Sequence, residues 1–417
     1  MSLIPYRSIA MAVFVGMCWM NTHSAHGDDN AFAPQPQAEL KPMLSIDWKK
    51  DVDLPQGFQD SAFGLVHGSL VTVGGFCQGV ESWRDAKELA AKKPGRYPRG
   101  FLKKAWSFDL KNSGKEWQTL PDFPGAARQG FVYTVVDDQF YCWGGFSYSE
   151  PFCYRDGFRL SYRQDHWEWD ALPDLPQVNT FGSLSAIGTK IYLLGGSDYD
   201  SVKFHTNTDR AGNVKRFGAK LYVIDTKNLA AGWKMLSDLP GTPRFCGAFV
   251  PCGGKFYALG GATGDDNPTN KYATVVDNWL YDPASDSWGR LRDMPVASSN
   301  FPPGQLLAFN RYILLVGGYQ YENMIGLDGQ PKPVYGKPFK HYTDRDYYSD
   351  IFVYDTKRNE FGTATPLPLN NAGPMTLVEG DHVHIIGGET GGSEVEGEMF
   401  GHHPDLYLNG VLHEINP

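Results

Sequence analysis

The feature that most constrains this chain is a glycine doublet that closes an apolar segment six times, at Gly74-Gly75, Gly144-Gly145, Gly195-Gly196, Gly260-Gly261, Gly317-Gly318 and Gly387-Gly388. A proline lies nineteen to twenty-two residues before each doublet, at Pro55, Pro124, Pro176, Pro240, Pro295 and Pro368. Seven residues before each proline stands an aromatic: Trp48, Trp117, Trp169, Trp233, Trp288 and Phe361. Three markers kept in register six times define a repeat. Within residues 239–288 the pattern alternates apolar and polar, turns at Gly253-Gly254, alternates again into Gly260-Gly261, and resumes around Tyr281 and Trp288. Period-two alternation bounded by Gly, Pro, Asn and Asp reads as four antiparallel strands per repeat.

A single four-stranded sheet cannot bury both of its faces, so six of them must stack, and closing the stack into a ring leaves no end exposed. Two glycines in succession suit a strand end that another backbone approaches closely. The chain begins its repeats out of phase: residues 45–49 carry a fourth-strand aromatic, Trp48, with no first three strands before it, whereas the last repeat stops after a third strand at 406–412. The N-terminal strand is therefore expected to complete the last sheet, which sets the blade number at six. With strands alternating in direction, the connectors after each doublet all emerge on one face of the disc. Those at 76–104 and 319–348 are long and that at 146–157 is short; apart from a brief helix expected at 85–92, they read as irregular.

Composition narrows the function classes. The 417 residues carry a formal charge of −9, with no basic stripe for nucleic acid and no polybasic run for an anionic membrane. Residues 1–27 read as a cleaved secretory signal, with Arg7, an apolar run at 9–20 and small residues at Ala25 and Gly27, and the twelve-residue run is too short to span a bilayer. Export to the periplasm or beyond is the corresponding expectation, with no membrane span in the mature chain. Residues 28–43 read as a linker and 44–417 as the ring. Five cysteines follow the signal: Cys77, Cys142, Cys153, Cys246 and Cys252. Cys142 with Cys153 is the favoured pair, the alternative being five small buried apolar side chains.

On these residues the chain resembles the Kelch family of β-propellers, whose repeat carries a Gly-Gly doublet, then a Tyr, then a Trp. Tyr222 with Trp233 and Tyr281 with Trp288 fit, and Phe108 with Trp117 substitutes for the Tyr. The resemblance implies an all-β, six-bladed Kelch-type propeller and says nothing of function. Within that group the chain is similar to bacterial sialic-acid (N-acetylneuraminate) mutarotases, or epimerases, in the run Ile385-Ile386-Gly387-Gly388-Glu389-Thr390, the segment Tyr348-Ser349-Asp350-Ile351 and the sequence Pro124-Gly125-Ala126-Ala127-Arg128. Where that family places its proposed catalytic Glu, directly after the fourth-blade glycine, this chain has Ala262. The family's partner Arg finds no counterpart.

Candidate ligand-handling residues lie on the connector face. Arg128 and Arg244 hold equivalent places just before a first strand, where a guanidinium can grip a carboxylate or sugar hydroxyls, or can bond loop carbonyls as Kelch repeats often do. Glu389 directly follows the last doublet, and a carboxylate at the mouth of a low-dielectric channel can exchange protons. Trp83, Tyr319 and Tyr321 offer rings to the apolar faces of a sugar, with Asn300 and Asn371 for its hydroxyls. His382 and His384 share a strand face, and His402-His403 lies nearby, but no third ligand has a metal-site spacing, so core or surface histidines are expected. Neither a metal site nor a cofactor motif is expected. Two functions follow: a propeller that binds a saccharide or a protein without turnover, and a mutarotase using Glu389 with Arg128 or Arg244.

Overall fold

A computed structural model describes residues 40–77, 100–111, 116–148, 150–198, 218–264, 272–295, 305–318, 323–325, 347–395 and 398–415. Six small antiparallel sheets follow one another around a central axis. Blade one is built from Ala62–Val66, Ser69–Val73, Ala105–Asp109 and Gln118–Thr119, innermost strand first. Blade two uses Val132–Val136, Gln139–Trp143, Gly157–Arg163 and His166–Leu172; blade three uses Ser183–Ile187, Lys190–Leu194, Leu221–Asp225 and Lys234–Met235. In blade four the strands are Ala248–Cys252, Lys255–Leu259, Trp279–Asp282 and Ser287–Arg290, and in blade five Leu307–Ala308, Tyr312–Val316, Ile351–Asp355 and Glu360–Ala364.

Blade six closes the ring. Met375–Glu379, His382–Ile386 and Tyr407–Glu414 come from the C-terminal end, and Leu44–Lys50 from the N-terminal end pairs antiparallel along the last of these, with Trp48 opposite Gly410. The expected linker ends earlier than Met43, because Lys41–Pro42 already pairs in parallel with Gly362 and Thr363 on the outer edge of blade five. Proline is tolerated there because an edge strand has a side that needs no donor. One continuous segment thus staples blade five to blade six.

The repeat's aromatic positions have two jobs. The ring packs inside its own blade, with centroids 4.8 Å apart for Tyr281 and Trp288, 4.9 Å for Tyr354 and Phe361, and 5.2 Å for Phe108 and Trp117. Burying a ring of this size stabilises by roughly 1.5–3 kcal/mol. The indole N–H then reaches back to the preceding blade: Trp48 donates to the Pro366 carbonyl, Trp117 to Val52, Trp169 to Pro121 and Trp288 to Ser237. Phe361 has no donor to use this way. Each such tryptophan fixes its blade and the spacing to its neighbour with one side chain.

The connectors after the doublets are more regular than expected. Phe76–Cys77 pairs with Gly100–Phe101, Gly392–Val395 with Glu398–Gly401, and Ala262–Gly264 with Tyr272–Val275, which in turn pairs in parallel with Asn323–Ile325 from the blade-five connector. The expected helix at 85–92 lies outside the described residues.

Candidate functional site

Two rings of residues, two positions apart in sequence, encircle the axis on the connector face. The first ring is Phe58, Arg128, Asn179, Arg244 and Asn371. The backbone carbonyl of each accepts from the second doublet glycine of the preceding blade: Gly388 to Phe58, Gly75 to Arg128, Gly145 to Asn179, Gly196 to Arg244 and Gly318 to Asn371, at 2.8–3.0 Å. This contact explains the doublet. The first glycine has φ near +60°, and a Cβ there would press on the carbonyl of the next blade; at the second, a Cβ on Gly145 would lie 2.7 Å from the Gln129 carbonyl.

The side chains of this ring point back into the scaffold. Arg128 Nη1 and Arg244 Nη1 each donate, at 3.1 Å, to the carbonyl of the first doublet glycine of their own blade, and Asn179 and Asn371 use their amide nitrogen for the same bond at 2.8 and 2.9 Å. Arg128 also pairs with both carboxylate oxygens of Asp156, at 2.5 and 3.0 Å, donates to the Ala126 carbonyl, and lies 3.6 Å over the Tyr154 ring. Arg244 pairs with Asp277 at 2.6 Å and donates to the Thr242 and Asp277 carbonyls. Burial works against the Asp277 charge, but Arg244 and the Thr242 N–H hold its carboxyl below the usual range. Of the two roles open to these arginines, the geometry is that of the second: both are buried, with four of five donors committed to protein acceptors. Asn371 is likewise spent, since its oxygen accepts from the Glu389 N–H at 3.0 Å.

The second ring is Asp60, Gly130, Phe181, Cys246 and Gly373, and all five take the left-handed conformation, with φ between 51° and 69°. Consecutive blades are joined directly through it: Gly130 N–H donates to the Asp60 carbonyl, Phe181 to Gly130 and Cys246 to Phe181, at 2.8–3.1 Å. Backbones in contact around an axis narrow it, so this ring is the floor of a well. Its walls are the residues after the doublets, bridged to those before the ring: Phe76 to Gln59, Phe146 to Gln129, Ser197 to Thr180, Ala262 to Phe245 and Glu389 to Ala372.

The well is lined by two kinds of side chain, aromatic and polar. An aromatic arc runs Phe76, Phe101, Phe146, Phe181, Phe245, with successive centroids 4.9–6.4 Å apart, and Tyr148 stands on it 4.9 Å from Phe101. Tyr148 is 41% exposed, an unusual state for a large ring in this molecule. Phe181, Phe245, Cys246 and Ala262 form one apolar cluster. Among these rings stand polar side chains: Gln59, bridged to Phe76, is hydrogen-bonded to Gln129, bridged to Phe146, with Asp60 next to Gln59 and Glu389 after the last doublet, all but Gln129 partly solvent-exposed.

Asp60 is the residue that sequence reading passed over. A lone Asp in a turn before a strand reads as turn chemistry. Aligning the repeats on their doublets would have found it, because Asp60 is an acid at a position held elsewhere by Gly130, Phe181, Cys246 and Gly373. Of the expected site residues, Glu389 reaches the well; Trp83, Asn300, Tyr319 and Tyr321 lie outside the described residues. The expected disulfide is not formed. Cys142 points from a blade-two strand into the core between blades one and two, Cys153 lies on the connector beyond the doublet, and none of the five cysteines described forms a disulfide. His384 is buried, with Nδ1 2.9 Å from the Tyr407 hydroxyl, and its ring lies 6.2 Å from that of His382.

With this geometry in place, comparison with known proteins adds a direction. No family model matches the chain. It is similar to the N-acetylneuraminate epimerase of Vibrio cholerae serotype O1, at 27% identity over 249 residues covering 55% of this chain and 56% of that protein. It is also similar to the N-acetylneuraminate epimerase of Haemophilus influenzae strain 86-028NP, at 24% over 317 residues covering 70% and 81%, and to a Kelch domain-containing protein of Vibrio cholerae, at 30% over 148 residues covering 34% and 36%. The chain spans about half the length of the first of these relatives. The solved structure of YjhT superposes with a TM-score of 0.57 at 14% identity, over 84% of this chain and 95% of that one, a likeness of fold. The molecule is a six-bladed Kelch-type β-propeller. Its sixth-blade segment, residues 385–390, is the stretch whose resemblance to sialic-acid epimerases the sequence already showed.

Proposed function

We propose that the connector-face well binds a carbohydrate, in an exported propeller whose residues 1–27 direct it out of the cytoplasm. One observation carries the reading: an aromatic arc capped by Tyr148 shares one well with the polar side chains Gln59, Asp60, Gln129 and Glu389, Gln59 and Gln129 being bridged to the arc's own Phe76 and Phe146. A pyranose has the same division, with an apolar C–H face and an equatorial rim of hydroxyls, so ring stacking and amide or carboxylate hydrogen bonds can be made together. The relatives' names favour an acidic sugar such as N-acetylneuraminate. A glycan array followed by titration of N-acetylneuraminate into the purified chain tests this. Binding that weakens several-fold in Tyr148→Ala and Gln59→Ala supports the reading; an array silent for every sugar sinks it and turns attention to a protein ligand. Export is checked separately by fractionating cells that express the full chain, where an uncleaved cytoplasmic product would contradict it.

A further inference from the structure

The carboxyl group of Asp60 has no structural task. Its backbone carbonyl accepts the bond from Gly130, but among the described residues no donor or cation meets the side chain, whereas the carboxylates of Asp156, Asp277 and Asp355 are each paired with an arginine. The residue sits on the axial ring and is partly solvent-exposed. Its charge is felt by Cys246, in the blade diametrically opposite, and by Tyr133, on the innermost strand of the adjacent blade two, whose buried hydroxyl has no hydrogen-bond partner. An unpaired acid on the axial ring, with an unpaired buried hydroxyl within reach of its charge, marks a place where a ligand completes the bonding. Protein atoms crowd the group while solvent still reaches it, and this loss of hydration raises its pKa to about 7. It is therefore divided between acid and base near neutrality, the state that general acid–base catalysis requires. The other titratable groups facing it, Tyr133 and Cys246, are both pushed upward and stay neutral there.

We propose that Asp60 is the catalytic acid–base of this well, opening and closing the ring of a reducing sugar bound against the aromatic arc, an activity that rests on the carbohydrate-binding reading above. In the forward step the protonated carboxyl gives its proton to the ring oxygen as the bond from that oxygen to the anomeric carbon breaks. The anomeric hydroxyl becomes a carbonyl, and its proton passes to water in the well. Rotation of the carbonyl and reclosure on its other face reverse these transfers, giving the second anomer with Asp60 protonated again and nothing oxidised or reduced. The chemistry thereby sits in blade one, next to Gln59, and does not depend on the position of Ala262.

The test follows anomer exchange of N-acetylneuraminate by NMR with the full chain, alongside Asp60→Asn and Asp60→Gly. Both replacements suit the left-handed backbone at this position, and glycine already occupies it in blades two and six. Acceleration by the parent chain, a rate that changes through a limb centred near pH 7, and a fall of roughly 10²–10⁴-fold in both variants with sugar affinity kept within a few-fold are the expected results. Sugar binding without acceleration in the parent, or full acceleration in Asp60→Asn, overturns the assignment while leaving the binding reading intact. Absence of any binding removes both.

Discussion

The two axial rings differ by two residues in sequence and by everything in bonding. In the outer one, Arg128, Asn179, Arg244 and Asn371 are buried and hand hydrogen bonds to the doublet carbonyls, so their polarity holds blade to blade. In the inner one, the single carboxylate, Asp60, has no hydrogen-bond or ion-pair partner among the described residues. Both rings are axial and part of the same repeat, and a carboxylate without a protein partner among the described residues stands in the second. Polar residues near a channel are therefore sorted by what they have already satisfied, not by where they lie.

This contrast predicts changes of opposite sign. The largest effect is expected for Arg244→Met, which leaves Asp277 charged and buried without its partner: a loss of about 3–5 kcal/mol in urea unfolding, partly restored by adding Asp277→Leu. Arg128→Met should lose less, because Asp156 is 37% exposed and can be rehydrated. A comparable loss in both would break the argument from burial.

Acid should act next, through His384. Burial and the neighbouring His382 depress its pKa to about 4. The unfolded chain, with an ordinary imidazole, takes up its proton first as pH falls, so stability is full above about 6.5 and is lost on the way down to about 4, by roughly 3 kcal/mol. The charge of Asp51 works in the opposite direction, against the depression. Denaturation midpoints of the parent and His384→Phe across that window check the size, since the variant should lack this part of the slope.

Asp60→Asn should go the other way. A carboxyl whose folded pKa is raised to about 7 from 3.8 contributes stability below pH 3.8 that disappears as pH rises through 7. Removing the charge therefore stabilises at pH 8, by roughly 2 kcal/mol once solvent at the well is allowed for, and does nothing at pH 3. A destabilised variant at pH 8 would place Asp60 with the outer ring. The smallest effect is Asn371→Ala, about 1–2 kcal/mol, from stranding the Gly387 carbonyl.

The spacing of Trp48, Pro55 and Gly74-Gly75 and its five recurrences made the blade number readable, and the unmatched Trp48 made ring closure readable, because both depend on repeat period alone. The roles of Arg128 and Arg244 were not. Their acceptors include carbonyls sixteen residues downstream and the carboxylates of Asp156 and Asp277, 28 and 33 residues away, brought together only when the chain has folded back twice. The connector hairpins escaped for a related reason: Phe76–Cys77 and Gly100–Phe101 are too short to show alternation.

The most direct test of the two-ring account is a crystal structure of the chain with N-acetylneuraminate at a concentration that saturates it in solution. The sugar is expected in the well, one face toward Tyr148 and the Phe146–Phe181 arc and its ring oxygen within hydrogen-bond reach of Asp60, with Arg128 and Arg244 unmoved. Sugar bound on the opposite face of the disc, or held by Arg128 or Arg244 swung out of their ion pairs, would contradict it.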